Sequence, residues 1–298
     1  MFAGALHVDI NRSRRVAWQV GAHALVGTAV STLIIGYGSW YLLGPLGIVL
    51  PLVYYLLFGA LISPTDPIAV LGVLKSAHVP QCAEATIAGE SLINDGVGVV
   101  LFALLLEMLQ TRVAPTLCAG PALFAREALG GVAFGVGVGY LVFRVLGTID
   151  DPQVEVLITM SAPTRDRLGD EILNGVLFVL IGLEFAVIEF PPGSPVAVVL
   201  ALALCLLARY LIVGLPASAG RRWFGLPACS GLLLTSSGVR GSISVALALS
   251  MPLGPERNLI LMLTYTVVVV SILVQGLTIG RLARALGLST EVASEGRH

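Results

Sequence analysis

The chain of 298 residues carries 56% hydrophobic side chains and only 12% charged ones, against about 25% charged in ordinary soluble domains. With a mean hydropathy of +0.93 it holds more apolar surface than a soluble globule can bury, so a bilayer is its solvent. The formal charge of −1 argues against a nucleic-acid partner, which would require a clustered basic face. Cys82, Cys118, Cys205 and Cys229 show no CxxC spacing, which argues against a disulfide framework or a zinc site and leaves them as small core residues. No cofactor is expected.

The N-terminus is apolar at once, Met1 to Leu6, and Arg12, Arg14 and Arg15 follow it. That order is the reverse of a secretory leader, and the chain is expected to begin inside a helix. Runs of roughly 20 apolar residues, long enough to cross about 30 Å of hydrocarbon, lie at 17–43, 85–110, 129–146, 168–190, 195–217, 229–252 and 259–280. An eighth, 48–75, is interrupted by Ser63-Pro64-Thr65-Asp66-Pro67. Two prolines around a carboxylate remove backbone donors and leave carbonyls free, which a bilayer tolerates only beside a polar cavity.

Alternating the loops places Arg12, Arg14, Arg15, Lys75, Arg165, Arg167, Arg221, Arg222, Arg281 and Arg284 on one side, and only Arg112, Arg126 and Arg257 on the other. The richer side is the cytoplasm. The segment from Val154 to Met160 is too short to span and runs straight into the polar Ser161 to Arg167, so a discontinuity is expected near 160–161. Around it the spans pair off: 17–43, 48–75 and 85–110 run in the opposite sense to 195–217, 229–252 and 259–280. The middle members of both triplets carry the disruptive residues, and Ser236-Ser237-Gly238-Val239-Arg240-Gly241-Ser242 breaks the second. Inverted repeats with paired broken helices mark the midplane site of a secondary transporter.

The densest polar group is Glu90-Ser91-Leu92-Ile93-Asn94-Asp95. Glu90 and Asn94 share one helix face, and Ser91 and Asp95 stack beside them. A carboxylate at membrane depth costs about 2.5–3.5 kcal/mol on insertion scales, so two in one helix demand compensation. Arg209 and Arg240 can supply it. Neither can shed its proton, so each must find a carboxylate, carbonyls or water; Arg209 has the alternative of snorkelling to the cytoplasmic surface. Glu184 is a third acid in an apolar run, open to a structural or a transport role. His23 is expected to be a satisfied helix histidine. It has no accompanying nucleophile motif, and no Gly-x-Gly-Asp occurs, so intramembrane proteolysis and enzymatic activity in general are not expected.

At Ser63-Pro64-Thr65-Asp66-Pro67, Glu90 to Asp95, Ile181-Gly182-Leu183-Glu184, Val239-Arg240-Gly241 and Val274-Gln275-Gly276, the chain resembles the monovalent cation/proton antiporters of the sodium/hydrogen exchanger type, especially prokaryotic members. The resemblance implies an all-α polytopic fold with inverted repeats, two interrupted helices and an incomplete scaffold domain. It implies a multi-pass protein of the cell membrane that exchanges sodium or another monovalent cation for protons by alternating access. Asp95 would bind cation or proton in competition, Thr65 and Ser91 would join it as sodium ligands, and Asn94 and Asp66 would complete the ion-binding set. Asn94 matches the asparagine of electroneutral members. Glu90 and Arg209 match a buried structural ion pair, and Gly238, Arg240 and Gly241 fall in the second helix break.

Family members carry about two more helices ahead of the first residue here and a further helix between Met160 and Ser161. The expected division is therefore a scaffold remnant and cytoplasmic loop at 1–16, a first core triplet at 17–110, and linker and scaffold helices with an internal deletion at 111–194. A second core triplet at 195–284 and a cytoplasmic tail at 285–298 complete it. The partners implied are the cation, protons, the lipid bilayer and a homodimer where the scaffold suffices. The alternative is a truncated, non-transporting remnant or interaction partner that keeps the antiporter core.

Overall fold

A computed structural model of the chain describes residues 10–66, 81–111, 119–146, 194–216 and 230–285, with Val179 and Leu183. The described helices are α1 (Ile10–Leu43), α2 (Leu52–Ile62), α3 (Gln81–Thr111), α4 (Ala119–Leu146), α5 (Ser194–Arg209), α6 (Ser230–Ser236), α7 (Ser242–Leu249), α8 (Pro255–Val270) and α9 (Leu277–Ala285). Four stretches are long and apolar enough to cross a membrane, namely Ala24–Leu46, Gly89–Thr111, Pro195–Gly214 and Pro255–Leu282. The expected discontinuity at 160–161, Glu184, and the part of 48–75 beyond Asp66 lie outside the described residues, as does the run 168–190 apart from Val179 and Leu183. The side chain of His23 is also outside them.

Two expectations change and a third, the break in the middle span of the second triplet, is met. Residues 10–16, expected as a remnant and a loop, are the first turns of α1, because no glycine or proline separates them from the span that follows. The second interrupted span resolves into α6 and α7 on either side of 237–241. The runs 195–217 and 259–280 are not uniform: a π-helical turn occupies Tyr210–Gly214 after α5, and another occupies Ser271–Gly276 after α8. Such turns hold an extra residue and cluster at functional sites.

α1 turns Ala24, Thr28, Ser31, Ile35 and Ser39 inward and Val26, Val30, Leu33, Tyr37 and Trp40 outward. The three- and four-residue spacing puts each set on one face, and an outer face of large apolar side chains suits lipid. α2 is apolar all round, and Tyr55, Leu57, Phe58, Ala60, Leu61 and Ile62 are buried. A helix of that kind belongs at the centre of a bundle. The packing follows a two-fold exchange of α1, α2, α3 with α5, the α6–α7 pair, α8. α1 meets α5 and α2 meets α7, while α2 against α8 is matched by α3 against α7. Within the triplets, α1–α2, α1–α3 and α2–α3 are matched by α5–α6, α5–α8 and α7–α8.

Backbone meets backbone closely between α1 and α2. A Cβ on Gly59 would overlap the Thr32 carbonyl and come 3.1 Å from the Gly36 nitrogen, and one on Gly36 would lie 3.0 Å from Leu56 Cα. Small residues that admit a neighbouring backbone hold membrane helices together, because lipid removes any hydrophobic drive between them. Gly59→Ala should therefore destabilise by about 1–3 kcal/mol through overpacking. Gly96→Ala, where an added Cβ meets nothing within 4 Å, should not. Melting temperatures of the two variants in detergent check the contrast.

Candidate functional site

The two helix breaks meet and satisfy one another. α2 ends at Ile62, where Pro64 and Pro67 cannot supply amide donors to the preceding carbonyls. The Nη1 of Arg240, from the second break, donates to the Ser63 carbonyl at 2.7 Å and the Pro64 carbonyl at 3.1 Å. In return the Asp66 amide donates to the Val239 carbonyl at 2.8 Å. The Asp66 side chain lies against Gly241, where a Cβ would overlap it. Gly241 precedes α7, and a helix N-terminus favours an anion there. The Arg240 amide is held by Ser271 Oγ at 3.1 Å, and Ser271 in turn donates to Gln275 Oε1. The second π-helical turn thus braces the crossing from behind.

α3 brings the polar cluster against the first break. Asn94 grips Thr65 with both ends of its amide: its Oδ1 accepts the Thr65 amide at 3.3 Å and its Nδ2 donates to Thr65 Oγ1 at 2.9 Å. The amide orientation follows, since a backbone N–H can only donate. Ser91 Oγ lies 3.2 Å from the same Thr65 hydroxyl. Gly98 lets Pro64 approach, because a Cβ there would strike the proline ring. Thr65, Glu90, Ser91, Asn94 and Asp95 are all buried. Asp95 Oδ2 has no hydrogen-bond partner.

Arg209, at the end of α5, does not snorkel. It is buried, and its Nη1 lies 3.4 Å from Glu90 Oε1 and donates to Thr65 Oγ1 at 3.4 Å. Its Nε donates to the Leu234 carbonyl at 3.2 Å, a terminal carbonyl of α6 that also accepts from Ser237 Oγ. Gly238 leaves the room for this, since a Cβ would overlap the guanidinium. Arg209 Nη2 has no hydrogen-bond partner, and the Arg209 side chain lines a cavity of ≈ 20 Å³ together with Thr28, Ser31, Ser63, Glu90, Asn94 and Arg240. That volume holds about one water.

The site therefore gathers Thr65, Asp66, Glu90, Ser91, Asn94, Asp95, Arg209, Gly238, Arg240 and Gly241 at one crossing. Among the described residues no cluster of three or more His, Cys, Asp or Glu could hold a metal ion; the oxygens at the crossing are hydroxyls, carbonyls and single carboxylates. Sequence reasoning did not anticipate the contribution of α1. Thr28, Ser31 and Thr32 face the crossing, with Thr32 Oγ1 3.2 Å from Ser63 Oγ. Their spacing within an apolar span was the available signal.

The transmembrane sodium/hydrogen exchanger family matches residues 1–164 and 162–285. The chain belongs to the sodium/hydrogen exchanger family. It is 44% identical to the Na(+)/H(+) antiporter NhaP of Pseudomonas aeruginosa over 349 aligned residues, covering 100% of this chain and 82% of that protein. It is 34% identical to the Na(+)/H(+) antiporter NhaH of Halobacillus dabanensis, covering 89% of this chain and 75% of that one. The structure of the sodium proton antiporter MjNhaP1 from Methanocaldococcus jannaschii at pH 8 superposes with a TM-score of 0.62 at 19% identity, over 97% of this chain and 83% of that one. The all-α antiporter fold and a multi-pass place in the cell membrane follow. The two family matches adjoin at 162–164, and the NhaP alignment is longer than the chain's 298 residues, so NhaP holds residues with no counterpart in this exchanger-family chain.

The burial of Arg209 makes Glu90 its counter-charge. Removing one partner of a buried pair typically costs about 3–5 kcal/mol, because the other charge is left uncompensated. Asp95→Asn removes no partner of Oδ2. Glu90→Gln should accordingly melt well below the wild type in detergent, while Asp95→Asn melts at or above it. Equal melting of the two variants would move the compensation of Arg209 elsewhere.

Proposed function

We propose that this chain exchanges sodium or another monovalent cation for protons across the cell membrane, with Asp95 taking either one in competition. The observation that carries the reading is the buried Asp95 carboxylate with its unpaired Oδ2, one helical turn from Ser91 and next to an Asn94–Thr65 grip that is already satisfied. One group is open to a proton or a cation while its neighbours are fixed. An ionised carboxylate attracts the cation and a protonated one releases it, so competition alone couples the two flows. Asn94 carries no titratable proton, and Glu90 is engaged by Arg209. That supports one proton for each cation.

Alternating access would rock the six-helix assembly of the two triplets against a scaffold. α4 belongs to the scaffold in this reading. It exposes Gly131, Gly135 and Gly139 at one-turn spacing, together with Val132, Phe134 and Tyr140, which supports a homodimer packed through small residues. Cross-linking through Val136→Cys, in a chain freed of its four native cysteines, should yield a dimer band in membranes.

A second reading has an observation behind it. The family matches in two stretches adjoining at 162–164, which favours a chain that keeps the core and binds the cation without moving it. Everted vesicles carrying the chain decide between the two. Sodium, potassium and lithium are added in turn and a pH-sensitive dye reports proton flux. Exchange predicts cation-driven flux that Asp95→Asn abolishes. Flux no larger than that of Asp95→Asn would leave the binding-only core.

A further inference from the structure

The hydrogen bonds around Thr65 limit what its hydroxyl can do. A threonine oxygen has one proton to donate and two lone pairs to receive with. Asn94 Nδ2 donates to it at 2.9 Å and Arg209 Nη1 at 3.4 Å. Both donors lack acceptor capacity, so both lone pairs are taken and the hydroxyl proton goes to Ser91 Oγ at 3.2 Å. The protons of Arg209 Nη1 and Nε are likewise spent, while Nη2 has no partner. Nη1 has two protons, one for Glu90 and one for Thr65, and Nε has one, for Leu234. In this arrangement Thr65 Oγ1 has nothing left to offer a cation.

We infer that Arg209 is a tethered competitor of the transported cation at the Thr65 hydroxyl, so that the cation gains this ligand only when the guanidinium gives it up. The inference rests on the proposed site reading. Of the two donors Arg209 is the one that yields, because its bond is the longer and Asn94 is anchored a second time through the Thr65 amide. The guanidinium also carries the charge that a cation on the same oxygen would meet. Its own pairing does not depend on Thr65, since Glu90 and the Leu234 carbonyl remain. The π-helical turn begins at Tyr210, the residue after Arg209, and exchange of such a turn for α-helix shifts the register of the residues beside it. Arg209 is thus a positioning residue that sets cation affinity through Thr65, in addition to neutralising Glu90.

The test is sodium binding to the purified chain, read as the sodium chloride concentration at half-maximal rise in melting temperature at fixed pH, with choline chloride holding ionic strength. Binding to the folded state raises the melting temperature by mass action, so transport is not needed for the readout. Arg209→Lys places its ammonium one bond short of Nη1: the charge opposite Glu90 stays, and Thr65 is released. The half-maximal concentration should fall about two- to tenfold, the worth of one net hydrogen bond. Adding Thr65→Val should erase the gain. If Arg209→Lys does not fold, Glu90→Gln/Arg209→Met removes both charges together and is read by the same criterion. A sodium response that needs Asp95 but is unchanged or weaker in the Arg209 variant overturns the inference and leaves the site reading standing, as does a gain that persists with Thr65→Val. No sodium response in any variant, or one that survives Asp95→Asn, overturns both.

Discussion

Backbone in a bilayer has no water to fall back on, and the crossing of two broken helices meets that constraint with very few atoms. Breaking α2 at Ser63 frees carbonyls that would each cost several kcal/mol in hydrocarbon. Arg240 reaches two of them from the opposite triplet, and the Asp66 amide returns the favour at Val239. Neither break is viable without the other. The charged head of Arg240 thereby also settles its own desolvation, since its donors end on carbonyl dipoles at the negative end of α2 rather than on an acid. Everything else in the site is hung on this joint: Thr65 is held where α3 can grip it because the residues on either side of it are pinned.

A second economy follows from Arg209. One guanidinium serves Glu90 on α3, the end of α6 and the Thr65 hydroxyl, so it links three elements drawn from both triplets. Lysine offers three donors from a single point and could not span that spread; the planar fork of arginine can. Gly238 is small for the same reason, since any side chain there would occupy the place of the guanidinium. The pair with Glu90 therefore fixes how the two triplets register, whatever its net stabilisation, which for buried ion pairs is often near zero.

Much of this was legible in the sequence because membranes make polarity conspicuous. Ser63-Pro64-Thr65-Asp66-Pro67 announces a helix break, Glu90 to Asp95 stands out in an apolar run, and Arg209 and Arg240 are permanent charges within apolar spans. What the sequence does not reveal is which partner each takes. Arg240 was open to a carboxylate, carbonyls or water, and only the meeting of the two breaks selects the Ser63 and Pro64 carbonyls. Arg209 could have snorkelled, and its burial depends on Gly238 lying opposite. The π-helical turns at Tyr210–Gly214 and Ser271–Gly276 carry no residue signature. They arise where tertiary contacts, such as Ser271 on the Arg240 amide, outweigh one intrahelical register. The hydroxyls on α1 are inconspicuous for a different reason: threonine bonded to its own preceding turn, as Thr28 is to the Ala24 carbonyl, sits unobtrusively in an apolar helix.

An exchanger needs a site that changes occupant without changing shape, and the distribution of unmet hydrogen-bonding capacity shows where such a change is allowed. Asn94, Ser91, Thr65 and Arg240 are engaged by protein partners that fix them. Asp95 Oδ2 and Arg209 Nη2 are not. Both are buried, and a buried polar atom without a partner is costly unless something else fills it part of the time. An acceptor oxygen is completed by a proton or a cation, whereas a guanidinium nitrogen is completed by a water in the adjoining cavity or by moving. The two loose ends are thus of opposite kinds, one able to take up a positive charge and the other carrying one. They stand on elements from opposite triplets, α3 and α5, so any relative shift of the triplets changes the field that one exerts on the other. Under the proposed site, coupling between cation occupancy and the disposition of the helices needs no separate relay, because the groups proposed to bind the ion also hold the triplets in register.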